Sequence, residues 1–416
     1  MKDIYWGGTV VKQADAPVSG GIVEIEGEKY YRIENYDSMT PFLMSLVSGS
    51  DHWLYISSNG GLTCGRENPD NALFPYETDD RIYESHSHTG PQTSLLVDVG
   101  DKRYLWKPFN DEVGVYDTRR NLYKNLVGNR LIFEEINRDL DLVFTYGWSS
   151  SAQFGFVKTT TVRNVGRNEV MVKVLDGFRN LLPAGINQEM QTRMSTLADA
   201  YKRAETDASS GIGIFSLTSI PNDHTEPCES LRASVAWCLG LENPLVLLST
   251  KQVRAFCAGH ELRPETRVSG QRCSYFVQSE FSVAPGETAN WRLVADVGQG
   301  PSDLPLLMDR ISSGISSADI DADVEAGTRC LQSLVGRADG CQVTSDDLVS
   351  GRHFTNTLFN IMRGGTFIDD YQIQRDDFLD FVSGWNLPLR DKFDTLLASQ
   401  ADPLARAALL EAVESK

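Results

Sequence analysis

From Ile22 to about residue 300 the chain is a succession of short apolar or alternating runs, each cut off by glycine, asparagine or aspartate. Two runs lie either side of Glu26-Gly27 between Ile22 and Ile33, a hairpin signal. Phe42–Val47 and Trp53–Ile56 end at Ser57-Ser58-Asn59-Gly60-Gly61. Ser94–Val99 and Arg103–Trp106 flank Gly100-Asp101-Lys102, and Arg130–Ile136 and Leu142–Trp148 flank Asn137-Arg138-Asp139. Phe154–Val165 turns at Gly166-Arg167-Asn168 into Val170–Phe178. Later runs are Gly213–Leu217, Ala233–Leu239, Leu245–Leu248, Val253–Cys257, Cys273–Val283 and Trp291–Val297. Strands this closely spaced leave no room for crossover helices, so they must pair antiparallel, and a double sheet is the way to bury them. One interruption is expected to be helical: Met190, Met194, Leu197 and Tyr201 share a helical face.

The periodicity changes near residue 300. Ile320, Val324, Leu331, Leu334 and Val335 predict a helix over Asp319–Arg337, with Gly340 just beyond its end. Thr344-Ser345-Asp346-Asp347 reads as a helix start capped by Thr344, running to Met362 and ending at Gly364-Gly365. Asp376–Val382 and Pro403–Val413 also read as helices. The expected division is a β region over 1–300, a helical joint over 301–343 and a helical segment over 344–416. Short amphipathic helices bury a face only against partners. Cover from a larger helical domain or from a second chain is therefore expected, a homodimer among the options.

Charge and cysteines narrow the function. With 39 Lys and Arg against 57 Asp and Glu, the net charge of −18 disfavours a nucleic-acid or anionic-membrane surface. No stretch approaches the ~20 apolar residues of a membrane helix. Met1-Lys2-Asp3-Ile4-Tyr5-Trp6 lacks the apolar core of a leader. Seven cysteines without a C-x-x-C pair read as reduced thiols, which together with the start predicts a cytoplasmic protein.

Chemistry-bearing residues concentrate between Asp51 and Pro91, where three of the six histidines lie. Loops that mix Asn, Asp, Arg, Gly and aromatics suit sugars, whose hydroxyls need polar partners and whose C–H faces need rings. Polar loops are also ordinary sandwich connections. His86-x-His88 reads as two imidazoles on one side of a strand, but no third ligand is identifiable, so no metal site is assigned. Asp79-Asp80, read as a strand, would point to opposite faces and fail as a catalytic dyad. Glu134-Glu135, Asp346-Asp347 and Asp369-Asp370 read as solvated charges or helix-start residues. The G-x-S-x-G, P-loop and H-E-x-x-H patterns are absent.

Several segments together carry a family resemblance. They are Tyr31-Arg32-Ile33-Glu34-Asn35-Tyr36, Trp53 to Arg66, Ala72-Leu73-Phe74-Pro75-Tyr76-Glu77-Thr78-Asp79-Asp80, Asp176-Gly177-Phe178-Arg179-Asn180-Leu181-Leu182-Pro183 and Trp291 to Gln299. In these the chain resembles the N-terminal part of cellobiose phosphorylase-like enzymes, glycoside hydrolase family 94 and its relatives, formerly placed with glycosyltransferases. The resemblance implies a mainly β fold: a large antiparallel supersandwich, galactose mutarotase-like, then a helical linker and the start of an (α/α)6 catalytic domain. It implies a part of a glycoside phosphorylase or hydrolase acting on oligosaccharides, with the catalytic acid deep in the helical barrel and no residue of this chain assigned to that role. No cofactor is implied; inorganic phosphate would be co-substrate in a phosphorylase. It implies sugar contacts by the loop after Trp53–Ile56, for which Asn59, Gly60, Arg66, Asp79 and Asp80 are the candidates. Two other readings stay open: a freestanding carbohydrate-binding or assembly sandwich, and a complete glycosidase using sandwich carboxylates.

Overall fold

The structure is a computed structural model, and residues 3–6, 8–12, 16–110, 114–221, 229–338, 340–363 and 372–414 are described. The chain divides into two compact units, residues 1–328 and 329–416.

The first unit is mainly antiparallel β. Its largest sheet has eleven strands, in the spatial order Arg267–Ser269, Lys202–Thr206, Gly213–Leu217, Ala233–Leu239, Thr288–Gln299, Gly155–Asn164, Leu142–Ser151, Leu131–Asn137, Thr118–Asn125, Glu28–Glu34 and Ser19–Ile25. A five-stranded sheet runs Lys102–Trp106, Gly90–Val99, Val170–Leu181, Cys273–Val283, Leu245–Leu247. A four-stranded sheet runs Leu43–Leu46, His52–Ser57, Leu62–Arg66, Ala72–Phe74. One apolar cluster joins all three: Phe144, Trp148 and Trp291 of the large sheet, Val97, Val174 and Tyr275 of the second, Ile56, Leu62 and Phe74 of the third. The two smaller sheets together cover the inner face of the large one, giving the sandwich that the strand spacing demanded.

Period-two burial sets this arrangement. Along Leu131–Asn137 every second residue is buried, with Leu131 and Phe133 facing the core. Val157, Val235, Trp237 and Val294 point the opposite way, into a second cluster. There they meet Leu304, Leu307, Met308 and Ile311 of the helix Asp303–Ser313, then Ile315, Ile320 and Val324. The start of the expected joint thus packs on the outer face of the large sheet.

Several local expectations are corrected. Val253–Cys257 is a short helix, not a strand, because Val253 and Phe256 both bury against Leu247, Leu262 and Phe276. The helix expected around Met190 is two, Gln188–Arg193 and Ser195–Tyr201, broken at Met194; Met190 is buried and Leu197 is exposed. Asp79–Ser85 is a helix, and His86 and His88 follow it in a turn rather than on a strand. Glu135 is buried, not solvated. It accepts from Trp106 Nε1 at 2.7 Å, Phe109 N at 2.7 Å and Arg120 Nε at 2.8 Å.

The second unit is helical, and the division falls inside the helix Ser317–Arg337. Helix Asp347–Met362 is capped by Asp346, whose carboxylate accepts from Leu348 N at 2.9 Å. Thr344 instead donates its hydroxyl to the Asp346 carbonyl, so the expected threonine cap is corrected. Helices Arg375–Ser383, Leu387–Leu397 and Arg406–Glu414 bury Leu397, Leu404 and Leu409 beside Phe378 and Phe393. Gly364-Gly365 and Asp369-Asp370 lie outside the described residues. Among the described residues no helix is long and apolar enough to cross a membrane.

Candidate functional site

The Asn59-Gly60 turn opens onto a cavity of about 270 Å3. Its other lining residues come from five separate stretches: His86 and Ser87; Pro91, Gln92 and Thr93; Lys107 to Asn110; Tyr146; and Arg179. Each wall has a local cause. Gly60 takes φ +90°, a left-handed turn, and a Cβ there would sit 3.4 Å from the Tyr146 hydroxyl. At Gly61 a Cβ would fall 2.0 Å from the Ile82 carbonyl, so only glycine lets the helix Asp79–Ser85 lie against the turn.

Asn59 fastens that contact. Its Nδ2 donates to the Tyr83 carbonyl at 2.8 Å, and its Oδ1 accepts from the Ser57 hydroxyl and from Gly61 N at 3.3 Å. His86 Nδ1 lies 2.8 Å from the same Tyr83 carbonyl. A carbonyl can only accept, so His86 Nδ1 carries a proton and donates this bond.

Arg179 forms the opposite wall. It sits beside Asn180, whose φ of +59° marks a register shift in the pairing with Cys273–Val283. Its Nη1 donates to Ser87 O at 2.6 Å; its Nη2 donates to His86 O at 2.7 Å and Pro91 O at 3.4 Å. Its Nε is buried without a partner. Burial lowers its pKa to about 10.

Behind the cavity lies a sealed charge cluster. Lys158 and Asp176, both fully buried, meet at 2.7 Å across the two layers. Asp176 also accepts from Thr93 Oγ1 at 2.7 Å and Trp291 Nε1 at 2.7 Å. The Lys158 ammonium lies 5.6 Å from the centre of the Tyr146 ring. Burial pushes Lys158 down, against the pull of Asp176. Thr93 and Tyr146 therefore belong to both the cluster and the cavity lining.

Of the sequence candidates, Asn59 and Gly60 line this cavity. Arg66 is engaged elsewhere: it grips Asp296 with two bonds, at 2.7 and 3.1 Å, and Asp51 at 2.7 Å, and also donates to Ala152 O. Burial raises the Asp296 carboxyl above its ordinary range, opposed by Arg66. Asp80 is exposed in the first helical turn, where the Thr78 hydroxyl donates to it at 2.8 Å and holds its carboxyl below the usual range. The Asp79 side chain lies outside the described residues. Lys107, Phe109, Tyr146 and Arg179 were not anticipated. Arg179 is one of three charged residues on the strand Val170–Leu181, with Lys173 and Asp176, so its sequence position gave no signal of its own. No group of three metal-ligating side chains occurs among the described residues.

No family model matches the sequence, and no curated protein matches it. Among solved structures, the chain is similar to a bacterial glucoamylase complexed with acarbose, at 7% identity over 82% of this chain and 42% of that one, TM-score 0.36. It is similar to a candidate kojibiose phosphorylase from human microbiome, at 10% identity over 64% of this chain and 31% of that one, TM-score 0.36. It is also similar to a candidate aldose 1-epimerase from Escherichia coli K12, at 12% identity over 62% of this chain and 99% of that one, TM-score 0.33. The chain spans less than half the length of the first two.

Proposed function

We propose that this chain is the carbohydrate-recognition part of a carbohydrate-active enzyme of the glycoside phosphorylase or hydrolase type. It binds a sugar ring of an oligosaccharide in the cavity at Asn59-Gly60. The observation that carries this reading is the lining itself. Gln92 and Asn110, with side-chain amides, and Ser87 and Tyr146, with hydroxyls, line a small volume together with the aromatic Phe109. Hydroxyl-rich ligands with apolar faces need this mixture.

The same lining supports binding without bond cleavage. Glycosidic hydrolysis uses two carboxyl groups ~5–9.5 Å apart, and the described lining residues include no Asp or Glu. A catalytic acid would then come from the remaining helical domain or from a second chain, and phosphate would serve as co-substrate in a phosphorylase. The freestanding binding sandwich is the second reading, favoured by the same absence. Complete catalysis by sandwich carboxylates has no support at this cavity.

The test is calorimetric titration of the full chain with a panel of neutral and acidic mono- and oligosaccharides. Saturable binding is expected. Gln92→Leu, which removes an amide without removing bulk, should weaken it about fivefold to tenfold, the worth of one hydrogen bond. Absence of binding by every sugar in the panel would refute the reading.

A further inference from the structure

The outer face of the large sheet is used in two ways. One end is apolar and covered: Val235, Trp237 and Val294 pack against the helix Asp303–Ser313 and the residues that follow it. The other end holds a groove of about 580 Å3, against about 270 Å3 for the Asn59-Gly60 cavity. That volume is within the ~300–1,000 Å3 of ligand pockets. The described lining lies wholly within the first compact unit. It is the reverse side of the same strand that serves the cavity: Tyr146 lines the cavity, and Thr145 and Gly147 line the groove.

The groove follows from side-chain size along one cross-strand row. Arg32 lies opposite Tyr123, Tyr123 opposite Ile132, Ile132 opposite Gly147, and Gly147 opposite Thr159. Beyond Thr159 the row rises again at Arg292, which is tied to Asp321 of the helix Ser317–Arg337 at 2.8 Å. A sheet face that only meets water needs polar side chains. It does not need them to shrink to nothing in the middle of a strand. Gly147 is not a left-handed position, so the backbone does not require glycine there. A Cβ would lie 3.2 Å from Leu131 O and 3.4 Å from Ile132 Cγ1, a tight fit but not a barred one. Glycine inside a strand weakens it and marks a place where something approaches the backbone closely.

The polar groups around Gly147 are oriented in advance. Thr145 and Thr161 pair hydroxyl to hydroxyl at 2.6 Å, which leaves one of the two hydrogens to donate outward. Glu134 is fixed through Oε1, which accepts from Asn121 Nδ2 and Tyr123 Oη, each at 2.8 Å; its Oε2 keeps its capacity to accept. Val23 and Ile132 supply apolar surface beside them. Glu134 disfavours an anion, and Arg32, two strands away in the same groove, disfavours a cation. We propose that this groove is a second carbohydrate site, taking a neutral oligosaccharide with one ring's C–H face over Gly147 and its hydroxyls on Thr145, Thr161 and Glu134. The groove has its own lining, so this inference does not rest on the cavity reading above.

The experiment is calorimetric titration of the full chain with maltotriose, cellotriose, laminaritriose, xylotriose and mannotriose, repeated in Thr159→Tyr, Thr145→Val and Gln92→Leu. Thr159→Tyr fills the groove with a residue that strands accept, and urea unfolding checks that each variant folds. At least one trisaccharide should show a binding event that Thr159→Tyr abolishes and Gln92→Leu leaves intact. Thr145→Val, which removes one hydroxyl at constant bulk, should weaken that event about fivefold to tenfold. Should Thr159→Tyr fail to fold, Thr145→Val alone decides. Binding that falls in Gln92→Leu and ignores both groove variants would overturn this inference and leave the cavity reading standing. Binding that falls only in the groove variants would support it and overturn the cavity reading. A trigalacturonate that binds the groove as tightly as the neutral trisaccharides would overturn the neutral assignment. No binding by any probe would overturn the groove site.

Discussion

Two cationic regions share one strand and are handled in opposite ways. Asp176 and Arg179 stand three positions apart on Val170–Leu181. At the first, Lys158 is sealed against its carboxylate with no exposure of either side chain. At the second, Arg179 borders a cavity and meets only carbonyl oxygens. The contrast teaches how to read a buried charge. A matched pair in a closed core ties layers together and specifies their register. A cation at an open wall that meets only carbonyl oxygens ties down backbone instead.

The largest expected effect breaks the sealed side. Lys158→Met should cost about 3–5 kcal/mol in urea unfolding, because it leaves Asp176 buried without its cation. A cost below about 1 kcal/mol would mean that the pair contributes nothing, and the contrast would lose its reference.

The next effect is a pH profile. His52 is buried on the Phe156 ring with its Nε2 unpartnered, and burial lowers its pKa from 6.5 to about 4. The unfolded chain takes up the proton first as pH falls. This contribution to stability is therefore whole above about pH 6.5, declines down to about pH 4 and is flat below. It amounts to at most roughly 3 kcal/mol. The difference in unfolding free energy between the protein and His52→Gln should follow that profile; a constant difference would show that His52 titrates normally.

The smallest effect tests the open side. Arg179→Met strands no carboxylate but removes the donor to three backbone carbonyls, so it should cost about 2 kcal/mol in urea unfolding, less than Lys158→Met. If it destabilises as much as Lys158→Met, the two regions are alike.

Much of the sandwich was legible because alternation is a local signal. Gly213–Leu217, Ala233–Leu239 and Cys273–Val283 appear at their expected bounds. Thr118–Asn125 was missed because its residues are polar, Thr-Arg-Arg-Asn among them, and its inward Arg120 is made tolerable only by Glu135 on the neighbouring strand. Glu135 was misread for the same reason: nothing near it in sequence announces Trp106 or Arg120. Val253–Cys257 is too short for periodicity to separate helix from strand. In the cavity, the turn chemistry of Asn59-Gly60 was visible, since a left-handed glycine leaves its mark locally. Lys107, just past the strand Lys102–Trp106, converges with Tyr146 and Arg179 from strands far apart in the chain, and only the fold brings them together. Arg66 looked like a ligand residue because its Asp296 partner lies 230 positions away.

Thr93 has a consequence beyond its own bond. Its hydroxyl is committed to the ion pair behind it, while the residue itself forms part of the cavity surface. The floor of the pocket is thus cast in one piece with the innermost framework of the domain. Little reorganisation entropy remains to be lost there when a guest settles, and discrimination falls to the rim. Damage to the hidden ion pair would be transmitted to a guest that never touches it.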